Sequence, residues 1–288
     1  MAQSLRQIKR RIKSVDNTKK ITKAMEMVAA SKLKKYQDLL GQTRLYAARL
    51  EQMLGNLIAS ATSYQHPFFE IRESKKILIY LVASDSGLCG SYNYNLFQTT
   101  ERFLSDRKES VSFFAIGRQA SAYLKRRRMT MINELGIPKP QDIQNTLQHV
   151  IDHAKHVFLE HDADQIFMIY TEFISMGSYK PKVEKIFPLG GIPSKEPSGA
   201  LDNYIYEPSA EQILEEMIPH YLALKIDQAL KGAFVSEQVS RMMAMRQATD
   251  NATEMIESLT LQRNKARQAS ITKELIEVVS GSKAQQAK

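Results

Sequence analysis

Cysteine occurs once in the 288 residues, at Cys89, and tryptophan not at all. A single thiol excludes an internal disulfide and any zinc cluster built on cysteine. Long apolar runs are missing too: the best is ILIYLVA, Ile77–Ala83, far below the ~20 residues that span a bilayer. No apolar signal core follows Met1, so the expectation is a soluble, intracellular chain with no targeting segment. Helix breakers are scarce at both ends. Residues 1–60 hold no proline and only Gly41 and Gly55, and after Pro219 only Gly232 intervenes before Gly281. Two long helices are therefore expected at the ends of the chain.

What is present begins with charge. The net charge is +9, and it is not evenly spread. Residues 1–35 carry 11 Lys or Arg against Asp16 and Glu26, whereas the remaining residues hold 29 basic and 29 acidic side chains. The whole surplus sits on one helix, in and around DNTKKITKAMEMVAASKLKK (Asp16–Lys35). Such an asymmetry points to an acidic partner at that end. The last helix cannot supply the countercharge, because residues 209–288 hold ten basic and ten acidic groups.

A 3-4 spacing runs through the first helix: Val15, Thr18, Thr22, Met25, Ala29, Lys32, Tyr36, Leu39, Thr43, Tyr46, Leu50, Met53 and Leu57. Another runs through the last: Met245, Ala248, Ala252, Met255, Leu259, Gln262, Ala266, Ala269, Lys273 and Ile276. Each is a heptad seam that requires a partner helix, and the two are expected to pair antiparallel with each other. Between them the period changes. Strands are expected at Lys75–Ser84, Ser110–Gly117, Met129–Leu135, Asp164–Ser175 and Lys180–Leu189, with helices near 95–105, 118–128 and 140–160. Alternation of this kind predicts an open, mainly parallel, Rossmann-like sheet covered by helices. The last two strands, joined by MGSY, should run antiparallel. The expected organisation is an N-terminal helix over 1–60, a central α/β domain over 75–190, a linker over 191–208 and a C-terminal helix over 209–284. Ser209 is the expected N-cap of that last helix, Pro219 an early kink and Gly281 its stop. At 1.5 Å per residue the two helices would be ~85 Å and ~110 Å long, against a radius of gyration of ~14 Å for the central domain.

Chemistry is sparse. The loop SDSGLCGSYNYN (Ser84–Asn95) follows the first strand, where open sheets bind phosphates, but it matches neither GxGxxG nor a Walker motif. It reads as a tight turn with Cys89 partly buried. His149 and His153 have a metal-compatible spacing without HExxH, and read as an amphipathic helix surface. No catalytic residue, cofactor site or metal site emerges.

Five ordered stretches resemble the gamma subunits of F-type ATP synthases: TKKITKAMEMVAASKLKK, SDSGLCGSYNYNLF, DNYIYEP, SEQVSRMMAMRQATDNA and NKARQASITKELIEVVSGS. The likeness spans effectively the whole chain. One departure is Ser86, where a basic residue commonly precedes GLCG. The resemblance implies a non-catalytic rotor of the enzyme complex. Its terminal helices would turn inside a hexamer of alpha and beta subunits, and its foot would stand by the epsilon subunit and the c-subunit ring, with delta reached only indirectly. It further implies a peripheral membrane protein on the cytoplasmic face of a bacterial inner membrane, held there through the complex, with no cofactor and no nucleic acid. Carried over position by position, Lys23, Met25, Lys32, Glu237, Gln238 and Arg241 would meet the beta-subunit collar. Gln268, Thr272 and Glu274 would support torque, and Tyr204, Tyr206 and Glu207 would belong to the foot. Two rival readings are a nucleic-acid protein using the basic helix as an arm, and a nucleotide-binding enzyme on the central sheet.

Overall fold

The computed structural model describes residues 5–60, 66–189, 206–207 and 209–286, without side chains at 58–60 and 281–286. Its elements are α1 (Leu5–Ser60), β1 (Lys76–Val82), α2 (Tyr92–Ser105), β2 (Ser110–Ile116), α3 (Arg118–Arg127), β3 (Met131–Leu135), α4 (Ile143–Leu159), β4 (Gln165–Ser175), β5 (Ser178–Phe187) and α5 (Ala210–Gln286). The chain divides into two compact units, Ala29–Arg241 and Met1–Val28 with Met242–Lys288.

In the larger unit the sheet order is β3-β2-β1-β4-β5. The first four strands are parallel and β5 is antiparallel to β4, as the MGSY hairpin implied. β5 is an edge strand, which is why Pro181 is tolerated inside it. Both faces of the sheet are covered, and the central strands are accordingly apolar throughout rather than alternating. On one face Ile77, Ile79, Leu81, Phe113 and Ala115 pack with Leu96 of α2 and Tyr123 and Leu124 of α3. On the other, α4 sets His153 against Tyr80 and Phe114, and Phe158 stacks on Phe187 at 4.5 Å. Tyr80 also bonds the ring nitrogen Nδ1 of His153 at 2.6 Å.

That histidine makes stability sensitive to acid. Burial holds the His153 imidazole below its ordinary pKa, and neighbouring His149 and His156 push it the same way. The unfolded chain takes up a proton first, so stability should fall as pH drops below about 6.5. His66 is shifted in the same direction, again mainly by burial. Chemical unfolding at pH 7.5 and 5.5 should show a smaller pH difference for His153→Gln than for the parent; an equal difference refutes the assignment.

The helix pair corrects the expected seam. Along α1 of the larger unit the buried side chains are Ala29, Leu33, Tyr36, Leu40, Thr43, Ala47, Leu50, Leu54 and Leu57. The steps run 4-3, not 3-4. Lys32, Tyr46 and Met53 are exposed and Leu39 is half-buried, so alternate seam positions lie one residue later than expected. In this unit α1 and α5 run antiparallel: Tyr36 meets Phe234, Thr43 bonds Asp227 and Tyr221 reaches Glu51. Lys231 is buried there, held by Asp227 at 2.7 Å and Thr43 at 2.8 Å.

In the smaller unit α1 meets α5 through Thr22 and Thr249, whose hydroxyls lie 2.8 Å apart. The same shift recurs on α5. Met245, Thr249, Ala252 and Leu259 are buried, while Met255 is 53% exposed and Gln262 is exposed. Beyond Ala266 every residue through Ser280 is exposed, including the seam candidates Ala269, Lys273 and Ile276.

Pro219 and Gly281 both lie inside α5, so Gly281 does not end it. Ile218, Tyr221 and Leu222 are buried around the proline, and such burial outweighs an interior-proline cost of about 3 kcal/mol. Gly281 costs only about 1 kcal/mol and does not by itself stop a helix. Ser209 caps α5 as expected, its Oγ accepting from the Gln212 amide. α4 starts at Ile143 with Asp142 as its N-cap, later than Pro140 implied.

Candidate functional site

Strand order reverses between β1 and β4, and the crevice at their carboxyl ends is where open α/β sheets hold ligands. The loop Ser84–Ser91 forms its rim. Asn93 anchors the loop, its side chain accepting from the Ser84 amide and donating to Ser84 Oγ and Cys89 Sγ. Cys89 is 2% exposed, more deeply buried than expected.

The crevice is filled by α5. Ser240 Oγ donates to the Cys89 carbonyl at 2.6 Å, and Tyr92 of α2 donates to the Ala233 carbonyl at 3.2 Å. Arg241 Nη2 reaches both the carbonyl and the hydroxyl of Ser86 at 3.1 Å, while Nη1 pairs with Glu237 at 2.6 Å. Glu237 is only 4% exposed. Burial pushes its carboxyl above the ordinary range and Asp85 adds to this, while Arg241 and Lys32 pull the other way. Two stretches far apart in sequence, SDSGLCG and SEQVSRMM, thus close on each other. Among the described residues no group of three side chains is arranged to hold a metal ion.

The other residues singled out in the sequence lie as follows. Lys23 is exposed and 3.0 Å from Glu26, Met25 is half-buried and Lys32 exposed. Exposed Ile21, Met27 and Val28 share that stretch of α1. Glu237, Gln238 and Arg241 are packed inside the chain rather than on a free surface. Gln268, Thr272 and Glu274 are exposed on α5, with Thr272 bonded back to the Gln268 carbonyl and Glu274 to Ser270. Tyr206 is half-buried and Glu207 exposed, while Tyr204 and most of the 191–208 linker lie outside the described residues. His149 and His153 face aromatic rings of the sheet.

Two features escaped the sequence reading. The Thr43–Asp227–Lys231 cluster was foreshadowed only by an i,i+4 acid–base pair. The exposed apolar residues Ile271, Leu275, Ile276 and Val278 near the end of α5 were visible as apolar positions, but nothing marked them as uncovered.

Residues 4–285 match the family model described as ATP synthase. The ATP synthase gamma chain of Anaeromyxobacter sp. (strain Fw109-5) is 39% identical, with 98% of this chain and 99% of the relative covered. That of Moorella thermoacetica is also 39% identical, over 97% and 98%. Among solved structures, a chain of the Euglena gracilis mitochondrial ATP synthase (OSCP/F1/c-ring) aligns with a TM-score of 0.68 at 18% identity, covering 98% of this chain and 95% of that one. A chain of the Tetrahymena thermophila central stalk/c-ring structure aligns at 0.56 and 24%, covering 79% and 99%. Sequence kinship from the first turn of α1 to the end of α5, with a sheet and paired helices shared by central-stalk chains, leads to one conclusion: the chain belongs to the ATP synthase gamma-chain family.

Proposed function

We propose that the chain is the central-stalk rotor of an F-type ATP synthase, coupling ion flow to ATP synthesis and hydrolysis while holding no catalytic site itself. The observation that carries this is α5 packed into the ligand crevice of its own sheet. The place where a nucleotide would sit is taken up by Ser240, Arg241 and Glu237, so the sheet serves as a mount for a helix. On this reading alpha and beta subunits surround the helices, and epsilon and the c-subunit ring stand at the foot. Residues 1–60 and 209–284 would be the shaft and 75–190 the mount.

No helix among the described residues is long and apolar enough to cross a membrane. Membrane attachment through the complex, on the cytoplasmic face, accords with that. The exposed lysines of α1 are suited to a turning contact, because surface ion pairs are worth only ~0–1 kcal/mol each and exchange readily. Lys23 is the handle on this reading, with Met25 and Lys32 beside it. The buried Glu237, Gln238 and Arg241 would reach a collar loop only by shaping the surface around them.

Mixing the chain with ATP synthase alpha and beta subunits should give a defined assembly whose ATPase activity depends on it. Activity and assembly that ignore the chain would overturn the reading. Lys23→Glu, at a side chain 55% exposed, should change the stability of the isolated chain by no more than about 0.5 kcal/mol. It should nonetheless lower ion pumping per ATP hydrolysed in the reconstituted complex; unchanged coupling removes Lys23 from the contact.

A further inference from the structure

A cavity of about 390 Å³ opens between α1, α4 and α5 in the larger unit, a volume that suits a small molecule. Leu147, Ile151 and Leu224 line it with apolar surface, and Thr43, Asp227 and Lys231 line it with polar groups. Lys231 is only 6% exposed, and a buried ion pair contributes little stability that apolar packing would not. Stability alone therefore does not account for a lysine in this place. An ammonium has three N–H donors. Two of those on Lys231 go to Asp227 Oδ2 at 2.7 Å and Thr43 Oγ1 at 2.8 Å, and the third meets no acceptor among the described residues. Asp227 Oδ1 is buried and accepts no hydrogen bond from them either. One donor and one acceptor thus stay unused within a single ion pair, and an unmade hydrogen bond at a buried group is costly.

We propose that this cavity binds a small uncharged molecule that has an amide edge on an apolar body. Its C=O takes the spare N–H of Lys231, its N–H donates to Asp227 Oδ1, and its body lies on Leu147, Ile151 and Leu224. The carboxyl torsion of an aspartate is broad, so Oδ1 can turn to such a donor. Charge balance excludes an ion. Among the described residues lining the cavity, Lys231 and Asp227 are the only permanent charges, and they neutralise each other. Tyr46 and His220, both exposed, are the remaining titratable groups there. An anion or a cation would leave an uncompensated charge beside a buried pair. The inference stands apart from the central-stalk reading, because it uses only side chains within the larger unit.

NMR titration of the full chain with benzamide tests it, with benzoate and benzylamine as charged analogues of similar size. Benzamide should bind with a Kd of roughly 1 mM, as so small a probe allows. It should raise the thermal unfolding midpoint, since it binds the folded chain alone. Both analogues should bind at least about tenfold more weakly, the loss expected when a hydrogen bond to a charged group is not made. Benzoate binding as tightly as benzamide would mark an anion site, and benzylamine doing so a cation site; either overturns the proposal. Intermolecular NOEs from the methyls of Leu147, Ile151 and Leu224 to the benzamide ring locate the site in the unaltered chain, and their absence also overturns it. Asp227→Asn with Lys231→Met changes both partners together, so that neither charge is stranded, and should weaken benzamide at least about tenfold. Ala223→Phe, at a half-buried lining position, should abolish binding by filling the space, and serves if the double variant does not fold. Benzamide that binds either folded variant as it binds the parent sits elsewhere, and the assignment falls.

Discussion

Arg241→Ala should destabilise the isolated chain by about 3–5 kcal/mol, the cost of stranding a buried charge by removing its partner. Glu237 would keep its burial and lose the guanidinium 2.6 Å away, and the Ser86 carbonyl and hydroxyl would lose their donor. The defect should shrink on acidification. Burial already raises the Glu237 carboxyl, and without Arg241 it would rise further. A folded-state pKa above the unfolded one favours the fold at low pH and loses that advantage as pH climbs through it. Replacing both partners with apolar residues, Glu237→Leu with Arg241→Met, should cost far less than Arg241→Ala and can be stabilising. Urea unfolding of the parent and the two variants at pH 7.5 and 5 decides the matter. If Arg241→Ala unfolds like the parent, the contact with the Ser86 loop holds nothing together.

Gly117→Ala should cost about 3 kcal/mol or more. Gly117 follows β2 at φ +94°, and a Cβ there would stand 2.1 Å from the Ala83 carbonyl oxygen and 2.9 Å from its carbon. Those atoms belong to backbone, which cannot swing aside as a side chain would. The Gly117 amide is also committed, donating to the Leu135 carbonyl at 2.7 Å. A non-glycine residue at positive φ already costs roughly 1–2 kcal/mol before any clash. Gly41→Ala is the counterpart: it is mid-helix with nothing within 4 Å of the added Cβ. It should stabilise α1 by up to about 1 kcal/mol. Thermal unfolding of the pair should shift in opposite directions, and a harmless Gly117→Ala would show that the close approach of the first two strands is not a constraint.

Much of this molecule can be read from local pattern. The five strands and their helices follow from apolar runs interrupted by turn residues, and the antiparallel last hairpin follows from its two-residue turn. The heptad pairing of the ends follows from an absence of helix breakers. Even the corrected seam was within reach. The 3-4 and 4-3 frames share Ala29, Tyr36, Thr43, Leu50 and Leu57, and differ only in Lys32, Leu39, Tyr46 and Met53 against Leu33, Leu40, Ala47 and Leu54. Uniform apolarity favours the second set. Period alone could not choose, because 3.6 residues per turn leaves both neighbours of each shared position close to the seam.

By itself, then, the amino-acid order determined the kinds of element, their sequence and the location of the surplus charge, since each depends on residues within a few turns of one another. Tertiary structure alone decided that α5 occupies the sheet's ligand crevice and that Glu237 and Arg241 are buried. It also decided that Lys231 finds an answer in Thr43 across the helix pair. Those outcomes depend on which distant surfaces exclude water together. A charged side chain carries no local mark of whether its neighbour in space will be solvent or a carbonyl 155 residues away.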